Sequence, residues 1–411
     1  MNILFIVPYM PNLVRARSYN LIRSLVSRGN HLTLLTLWTS ESERAEVPSL
    51  EEAGVRVHAL PQPTWRSLWN CLVALPGSTP LQAVFSWNPA LAALSARLVE
   101  CNGDHPIDVI HVEHLRGARF GLKLKSRFSQ IPVVWDSVDC ISYLFEQAAG
   151  QSRSRFGRLI TRLDLQRTKR YEGLLPGRFD HVLITSAVDR QALLSLIPDH
   201  NRAAPISILP NGVDWEYFAE ELVIDREPAT LVLSGKMSYH ANVTMALYLM
   251  DEIMPRVWNE RPDVRVLIVG KDPPASIRAF GEDPRVEVTG TVDDIRPYLR
   301  RASIAVVPLL YGAGSQFKVL EAMACATPVV ATPRAVLALQ AQPEQDILLA
   351  ETPEGFAGQI LKLLEHPELR EQIARAGRRY VREHHQWAKI AERLEGVYHE
   401  VISTGGKRSI Q

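Results

Sequence analysis

Residues 304–324 read IAVVPLLYGAGSQFKVLEAMA. The first four residues are a short apolar run, and from Phe317 onward apolar residues recur at helical spacing. Between these segments, two glycines allow the backbone to approach a ligand closely, and Ser315 can cap the following helix. The opening turn of such a helix directs free N–H donors at the same place. The stretch therefore predicts a strand, a turn that binds a phosphate or a sugar, and a helix.

The same alternation of apolar runs and helical patterns extends over nearly all 411 residues, which is typical of parallel α/β sheets. The predicted strands form a first series at 3–7, 32–36, 55–60, 109–112, 133–136 and 182–184, and a second series at 231–234, 264–269, 286–288, 304–307, 328–331 and 347–349. A chain of this length exceeds what one hydrophobic core usually supports. We therefore predict an α/β protein with two Rossmann-like parallel-sheet domains.

An irregular, acidic segment at 216–228 separates the two series of predicted strands. We place an N-terminal domain at residues 1–215 and a C-terminal domain at residues 228–385. The tail at 386–411 continues a helical pattern with no strand signal left to pair. We predict that this tail packs back on the N-terminal domain.

The composition is that of an ordinary globular protein, with 46% apolar residues and a formal net charge of +1. This charge indicates neither nucleic-acid binding nor disorder. The four cysteines lie far apart without a C-x-x-C pair, so they predict neither a zinc site nor a redox motif. The first apolar stretch is too short for a signal peptide and lacks a basic n-region, and a cytoplasmic location is therefore expected.

One region, between Arg66 and Arg97, contains no charged residue and includes Trp69 and Trp87. Prolines interrupt it, so it cannot form the unbroken apolar helix of about 20 residues that crosses a bilayer. Two interpretations remain open: helices and a loop buried in the first domain, or a surface that docks on lipid or holds an apolar acceptor. The basic run at 153–170 is either a solvated helix face or a contact with an anionic membrane surface.

The loop after the first predicted strand contains no G-x-G-x-x-G, so no dinucleotide cofactor is predicted there. Arg15 and Arg17 stand where this loop enters the first helix, and a helix N-terminus beside arginines favours an anion. Ordinary surface arginines are the alternative. Lys318 and Glu321 share a helix face and offer an ammonium for a diphosphate and a carboxylate for a ribose diol. A capped core helix with a surface Lys–Glu pair is the other interpretation.

Residues 311–324, with the segment 328–332 after them, resemble the donor-site signature of glycosyltransferase family 4, in particular a branch with the pattern G-x-G-x-x-x-K-x-x-E. Four further segments match that family in the same order: 210–214, 234–236, 268–270 and 288–294. The resemblance implies a GT-B fold, in which two Rossmann-like domains face an interdomain cleft. It also implies a retaining glycosyltransferase without metal or cofactor, which moves a sugar from a UDP- or GDP-linked donor to a hydroxyl acceptor.

The partners implied by this resemblance are the nucleotide sugar and a glycan or lipid-linked acceptor. The reaction would belong to the biosynthesis of a glycan, a polysaccharide or a glycolipid, with peripheral contact at the inner face of a membrane. Two alternatives stay open: a nucleotide-sugar epimerase of similar fold, and a non-catalytic subunit that binds a nucleotide sugar. The sequence names neither the sugar nor the acceptor, and it does not indicate the oligomeric state.

The resemblance also assigns roles to individual donor-site residues. Glu321 matches the glutamate that binds the nucleotide ribose, whereas the earlier glutamate of the family's E-x7-E pattern is replaced by Ala313. Lys236 matches a basic residue that neutralises the donor diphosphate, so Lys236 and Glu321 are catalytic candidates. A second lysine of the family is replaced by Asn242. We hypothesise that Lys318 supplies the missing cation.

Further donor contacts follow from the same match of motifs. The nucleobase would lie against the backbone of a loop that contains Thr291 and Val292. The glycine-containing turns would contact the donor phosphates and sugar through a set of residues comprising Gly235, Gly314, Ser315 and Gln316.

In the N-terminal half, many relatives have a histidine at the end of the strand predicted here at 109–112. By counting, that position is Glu113, whereas the chemically matching residue is His114. We favour His114 as the catalytic residue, with a structural histidine as the alternative. Asp139 follows the next predicted strand and is expected on the acceptor side with Glu113, or it caps a helix.

Overall fold

The computed structural model describes residues 1–101, 106–149, 155–219, 225–311 and 317–408. The chain forms two compact units, one from Met1–Pro210 with Trp387–Gln411 and the other from Asn211–Gln386. The final helix therefore belongs to the first unit, although it follows the second unit in the sequence.

The first unit is built around a parallel sheet. Its strands are β1 (Asn2–Val7), β2 (His31–Trp38), β3 (Arg56–Pro61), β4 (Val109–Glu113), β5 (Val133–Val138), β6 (His181–Ile184) and β7 (Ile206–Ile208). Its helices, up to the end of the sheet, are α1 (Ala16–Ser27), α2 (Glu41–Arg44), α3 (Val47–Glu52), α4 (Thr64–Ala74), α5 (Leu81–Phe85), α6 (Pro89–Glu100), α7 (His114–Arg127), α8 (Ile141–Ala149), α9 (Arg155–Leu174) and α10 (Ala187–Leu196). Short 3₁₀ turns form at Leu13–Arg15, Leu175–Gly177 and His200–Arg202.

The second unit repeats this construction. Its strands are β8 (Thr230–Ser234), β9 (Arg265–Val269), β10 (Val286–Gly290), β11 (Ile304–Val307), β12 (Val329–Ala331) and β13 (Leu348–Leu349). Its helices are α11 (Trp215–Ala219), α12 (His240–Tyr248), α13 (Met254–Glu260), α14 (Ala275–Arg278), α15 (Arg296–Arg301), α16 (Phe317–Ala324), α17 (Pro353–Glu365) and α18 (Pro367–His384). A π turn forms at Leu249–Ile253, and 3₁₀ turns form at Ala279–Glu282 and Pro333–Val336. The chain then returns to the first unit with α19 (Trp387–Arg408).

Both sheets have a doubly wound strand order. The order is β3-β2-β1-β4-β5-β6-β7 in the first unit and β10-β9-β8-β11-β12-β13 in the second. The winding reverses once in each sheet, between β1 and β4 and between β8 and β11. Ligands of such sheets bind outside the carboxyl ends of the strands at this reversal. Each sheet is therefore expected to carry a site of its own, after β1 and β4 in the first unit and after β8 and β11 in the second.

The strands beside each reversal are enclosed on both faces. Residues 3–7 of β1 and 231–233 of β8 are almost completely buried. A parallel sheet that is covered by helices on both faces needs strands that are apolar nearly throughout. For this reason, apolar runs are sufficient to predict most of these strands.

The prediction of an α/β protein with two Rossmann-like parallel sheets is confirmed. All predicted strands are present, with small shifts at their ends. The sequence does not predict β7, because this strand has only three residues between Pro205 and Pro210, and so short a run shows no periodicity.

The uncharged stretch between Arg66 and Arg97 forms α4, α5 and α6. Leu91 and Ala92 of α6 are buried, whereas most apolar side chains of α4 are exposed. Buried helices therefore describe α6 but not α4, and an exposed surface describes α4 but not α6. Within the part of the chain that the structure describes, no helix has the length and apolarity needed to cross a membrane.

Candidate active site

The turn after β8 brings two strand ends into direct backbone contact. Gly235 donates its N–H to the Val269 carbonyl at 3.0 Å. Gly235 and Gly270 have φ values of +145° and +152°, a conformation that side chains rarely permit. A Cβ atom on Gly270 would lie 1.7 Å from the carbonyl oxygen of Gly235. Both positions therefore require glycine.

Lys318 reaches this turn from the beginning of α16. Its Cε atom lies 3.3 Å from the point that a Cβ atom of Gly235 would occupy, and Asn242 Nδ2 lies 2.8 Å from the same point. Asn242 Nδ2 also donates to the carbonyl of Lys236 at 2.9 Å. The structure thus brings Lys318, the glycine turn and the backbone of Lys236 together. The Lys318 side chain lies beside Asn242, the residue that stands where the family pattern has its second lysine.

Lys318 and Glu321 form a partly buried pair on one face of α16. Burial lowers the pKa of Lys318 to about 8, although the Glu321 carboxylate opposes this shift. Burial raises the pKa of Glu321 to about 7, against the effect of the Lys318 ammonium. Both groups therefore titrate close to neutral pH, where small changes of environment alter their charge.

Tyr311 is held by contacts that the sequence does not indicate. Its hydroxyl contacts a ring nitrogen of His240 and lies 2.9 Å from Thr244 Oγ1. His240 and Thr244 belong to α12, whereas Tyr311 directly precedes the glycine-containing turn. The contacts therefore tie Tyr311, the residue before the segment 312–316, to α12. Tyr311 and His240 are 71 positions apart, so only the folded chain shows that they meet.

The glycine-containing turn before α16 lies outside the described residues. The predicted donor contacts Gly314, Ser315 and Gln316 fall in it, as does Ala313. Their roles stay predictions.

A pocket of about 530 Å³ opens beside the end of β10. Thr291 and Val292, the predicted nucleobase contacts, line it together with Tyr298 and Asp294. The Asp294 carboxylate pairs with the Arg296 guanidinium at 2.8 Å and accepts the Arg296 backbone N–H at the start of α15. Asp294 therefore acts as an ion-pair partner and accepts the first backbone N–H of α15, whose N-cap residue is Ile295. The described ranges contain no group of three or more side chains that could hold a metal ion.

In the first unit, Arg17 and Asp136 form a buried ion pair. The guanidinium donates twice to Asp136 Oδ2, at 2.7 and 3.1 Å, and once to the Pro210 carbonyl at 3.3 Å. Arg17 is 5% exposed, and Asp136 is fully buried. The pair links α1 to β5. Arg17 is therefore no ordinary surface arginine, and its role toward a phosphate stays a prediction.

His111 of β4 is a structural histidine in the same region. Its Nδ1 lies 2.8 Å from the Tyr398 hydroxyl of α19, and its ring stacks on Phe5 with centroids 4.0 Å apart. Burial lowers the pKa of His111 to about 4, although the Asp136 carboxylate opposes this. The neutral ring therefore helps to attach α19 to the sheet.

Glu113, the last residue of β4, is a buried acid. Burial raises its pKa to about 7, and the Asp136 carboxylate adds to the shift. Tyr9 donates its hydroxyl to Glu113 Oε1, whereas Oε2 makes no hydrogen bond within 3.5 Å to the residues that the structure describes, although the nearby Ser18 hydroxyl favours the charged carboxylate. Arg15 lies over the Tyr9 ring, 4.9 Å from its centroid, and pairs with Glu43 at 3.0 Å. The structure therefore brings Tyr9, Glu113 and Arg15 together, and the sequence does not indicate Tyr9.

His114 begins α7 in a strained backbone conformation with φ at +65°. Residues other than glycine rarely enter this region, and those that do cluster at functional sites. Its Nδ1 accepts the backbone N–H of Arg116 at 3.3 Å, so the neutral imidazole carries its proton on Nε2. Burial lowers the pKa of His114 to about 3. At neutral pH, His114 therefore offers an N–H donor and not an imidazolium.

Asp139 follows β5 and lies near a second acid. Burial, with the neighbouring Asp189 carboxylate, raises the pKa of Asp139 to about 7. Thr185 Oγ1 donates to Asp139 Oδ1 at 3.3 Å. Val138, directly before it, has φ at +66°, where the pairing of β5 with β6 is irregular. A role for Asp139 toward an acceptor stays a prediction.

Comparison with known proteins shows the same two-part organisation. The family model described as "Glycosyl transferase 4-like domain" matches residues 14–212, and the model described as "Glycosyl transferases group 1" matches residues 228–366. A phosphatidyl-myo-inositol mannosyltransferase of Mycolicibacterium smegmatis is 30% identical over 214 residues, which are 48% of this chain and 53% of that protein. The chain therefore spans about half the length of the curated relatives that it matches.

Solved structures share the fold over nearly the whole chain. Sucrose-phosphate synthase from Thermosynechococcus elongatus matches with a TM-score of 0.65 at 16% identity, over 98% of this chain and 100% of that one. HepE from Anabaena, solved in complex with UDP-glucose, matches with a TM-score of 0.65 at 14% identity, over 97% and 100% of the two chains.

Two Rossmann-like parallel-sheet domains that match these structures define the GT-B class of α/β proteins. The chain belongs to the group 1/GT4-like family of glycosyltransferases, as the two family models show over most of its length. The predicted family is therefore confirmed. The narrower branch with the pattern G-x-G-x-x-x-K-x-x-E stays a prediction, because its turn lies outside the described residues.

Proposed function

We propose that this chain is a retaining glycosyltransferase that uses a nucleoside diphosphate sugar. It moves the sugar from a UDP- or GDP-linked donor to a hydroxyl acceptor in the biosynthesis of a glycan, a polysaccharide or a glycolipid. The observation that carries the proposal is the position of Lys318, with Glu321 beside it, at the Gly235–Lys236 turn after β8. Family membership supports the reaction class, and the UDP-glucose in HepE supports the donor class.

The donor-side roles follow from charge and hydrogen-bonding capacity. Lys236 and Lys318 neutralise the diphosphate, and Glu321 accepts hydrogen bonds from the ribose hydroxyls. The backbone at Thr291 and Val292 holds the nucleobase, and the glycine-containing turn before α16 donates N–H groups to the donor. Cations that are already in place stabilise the charge that develops on the departing diphosphate.

The reaction needs no protein nucleophile, metal ion or cofactor. The acceptor oxygen attacks the anomeric carbon on the face that the leaving group vacates, so the configuration is retained. The bond to the diphosphate oxygen breaks as the new glycosidic bond forms, and a phosphate oxygen of the leaving group takes the acceptor proton. The neutral His114 donates Nε2–H to a sugar hydroxyl during this step.

The acceptor side lies in the first unit. Glu113 Oε2 is buried without a partner among the described residues, and an acceptor hydroxyl would give it one. Arg15 and Arg17 supply positive charge near it, and Asp139 contributes a further carboxylate. We assign residues 1–215 to an acceptor-side domain, residues 228–385 to a donor domain and residues 386–411 to a terminal helix on the first of these.

The acceptor we favour is lipid-linked. The curated relatives named above are phosphatidyl-myo-inositol mannosyltransferases, whose name states a lipid substrate. We therefore propose a cytoplasmic protein that associates peripherally with the inner face of a membrane.

A donor screen by thermal shift and calorimetry tests the function, because a ligand that binds only the folded state raises its melting temperature. We expect one UDP- or GDP-sugar to bind, and Lys318→Ala to weaken it by about 1.5–3 kcal/mol, the value of a hydrogen bond to a charged group. Lys362→Ala is the matched control, since Lys362 is an exposed lysine of the same unit that pairs with Glu344 at 3.3 Å.

Two other outcomes would replace the proposal. Formation of an isomeric sugar nucleotide without acceptor would identify an epimerase. Tight donor binding without transfer or hydrolysis would identify a non-catalytic subunit. If Lys318→Ala binds the donor with unchanged affinity, Lys318 does not contact the diphosphate. In that case no cation replaces the lysine that Asn242 substitutes in the family pattern.

The pH dependence of donor binding gives an independent test of the Lys318–Glu321 pair. We expect the highest affinity between the pKa values of Glu321, about 7, and Lys318, about 8. Below this window Glu321 takes up a proton and loses its carboxylate, and above it Lys318 loses its proton and its charge. Calorimetric titrations across the window measure the two limbs. In Lys318→Arg the alkaline limb should disappear, because a guanidinium stays protonated; a flat profile in the wild type contradicts the assignment.

A further inference from the structure

α4 presents an apolar stripe to solvent. Its large apolar side chains recur at the i, i+3, i+4, i+7, i+8 spacing of one helical face, and their exposed fractions are high: Trp65 64%, Leu68 61%, Trp69 60%, Leu72 56% and Val73 61%. A stripe of this spacing normally faces the core of a globular protein. Here it faces outward, which the hydrophobic effect disfavours unless another apolar phase covers it.

Polar bonds on the opposite face hold α4 in this rotation. Gln62 Nε2 donates to the buried Ser67 hydroxyl at 3.2 Å. Asn70 Nδ2 donates to the Trp87 carbonyl at 2.8 Å. Arg167 of α9 donates to the Leu75 carbonyl at the end of α4 at 2.6 Å. The outward direction of the stripe is therefore built into the packing of the first unit.

Basic side chains lie at both ends of the stripe: Arg66 lies over the Trp65 ring at 5.6 Å, and Arg167 bonds to the Leu75 carbonyl, while one buried acid, Asp164, acts on Cys71 of α4. No acidic residue occurs in the segment 53–99, and Arg66 lies within α4 itself.

On α7, the exposed Arg119 and Lys123 lie over the ring of Trp87, whose carbonyl accepts from Asn70 on the opposite face of α4, so they add positive charge to the same unit without touching the stripe. An apolar stripe that contains tryptophans and has a basic border matches an anionic bilayer, in which apolar side chains enter the acyl boundary and cations meet lipid phosphates.

We propose that α4 is a membrane-docking helix whose apolar stripe inserts into the boundary between headgroups and acyl chains of an anionic bilayer. A second copy of this chain fits less well, because a symmetric interface would place the same basic border against itself. The proposal names the surface at which the enzyme meets its acceptor, and it rests on the proposed function only for the lipid-linked nature of that acceptor.

Arg116 connects the docking helix with the acceptor side. Its Nε donates to Gln82 Oε1 at 2.9 Å, and its guanidinium lies near the side chains of Cys71 of α4 and Tyr9. Tyr9 in turn donates to Glu113. The docking helix and the acceptor-side residues are therefore neighbours within the first unit.

Flotation of the full chain with lipid vesicles, in the absence of donor, tests the proposal. We expect wild-type protein to float with vesicles of phosphatidylcholine and phosphatidylglycerol, and much less with phosphatidylcholine alone. Leu72→Glu should weaken partitioning by about tenfold or more, because a charge on the inserting face opposes burial of apolar surface. Leu337→Glu is the matched control, since Leu337 is an exposed leucine of the second unit with 44% exposure.

Several results would overturn the proposal. These are no flotation of the wild type, equal flotation with neutral and anionic vesicles, and unchanged flotation of Leu72→Glu. A concentration-dependent dimer that Leu72→Glu dissolves would assign the stripe to a second copy instead. Donor affinity, measured on the same variants, separates the two proposals. Donor binding without flotation contradicts the proposed docking helix. Flotation without binding of any sugar nucleotide contradicts the proposed transferase function.

Discussion

Replacing Glu321 by alanine is expected to weaken nucleotide-sugar binding by about 1.5–3 kcal/mol, which is roughly tenfold to more than a hundredfold in Kd. The Glu321 carboxylate would accept hydrogen bonds from the ribose hydroxyls, and hydrogen bonds to an ionised group are stronger than neutral ones. Because Glu321 is partly buried beside Lys318, water replaces the lost acceptor poorly. Calorimetry between the pKa values of the two residues, about 7 and about 8, keeps both charges in place.

Two further variants test whether an effect of Glu321→Ala comes from the lost carboxylate charge at this position. Glu321→Gln keeps an acceptor oxygen without the charge, and it should lose less affinity than the alanine variant. Glu365→Ala removes an exposed carboxylate at the end of α17 in the same unit and should leave Kd unchanged. If Glu321→Ala binds the donor as tightly as the wild type does, the ribose contact is wrong and the donor site must be sought elsewhere.

The second large effect concerns the stability of the first unit. Asp136→Ala is expected to lower the free energy of unfolding of that unit by about 3–5 kcal/mol, because it leaves the Arg17 guanidinium buried without its counter-charge. The pair is 2.7 Å apart, and Arg17 and Asp136 are 5% and 0% exposed. Urea denaturation, followed by a probe in the first unit, measures the change, since two units need not unfold together.

An exposed ion pair provides the control for Asp136. Asp283 and Arg285 also lie 2.7 Å apart, but both side chains are about one-third exposed. Asp283→Ala should therefore cost the second unit at most about 1 kcal/mol, as read by a probe in that unit, because solvent screens the pair. In Arg17→Met/Asp136→Leu, much of the loss should be recovered, since neither charge is left buried alone. A loss below 1 kcal/mol in Asp136→Ala would contradict the importance assigned here to the buried pair.

Three buried or partly buried acids, one at the end of β4, one directly after β5 and one within α16, have the same electrostatic property. Burial raises the pKa of Glu113, Asp139 and Glu321 to about 7 in each case. Such groups exchange protons near neutral pH, and they occur at functional sites as well as in structural networks. Glu113 combines features of a structural network and of a functional site. Its Oε1 accepts a hydrogen bond from Tyr9, whereas its Oε2 has no hydrogen-bond partner in the described ranges.

Local patterns in the sequence were sufficient to predict the fold and the family. Strands covered on both faces must be apolar nearly throughout, so β1, β8 and β11 can be recognised from short windows of sequence. The ordered set of short motifs predicted the family in the same way, because several of them lie at the ends of predicted strands. β7 is too short for this reasoning.

Other features depend on residues that are far apart in the chain. Arg17 and Asp136 are 119 positions apart, and Tyr311 and His240 are 71 positions apart. The placement of Lys318 beside Asn242 likewise requires α16 to lie against the turn after β8. No local periodicity encodes such contacts, because they form only when the sheet order brings the strand ends together.

The amino-acid sequence by itself determined the succession of strands and helices, since burial on two faces imposes an apolar pattern that needs no partner to be recognised. The tertiary structure alone decided which charged side chains are paired and whether the apolar face of α4 points to the core or to solvent. A side chain's partner and exposure depend on the neighbours that packing supplies, and an amphipathic pattern is the same whether its apolar face points inward or outward. The chemistry of this protein therefore rests on strand ends that the sequence predicts and on contacts that only the folded chain creates.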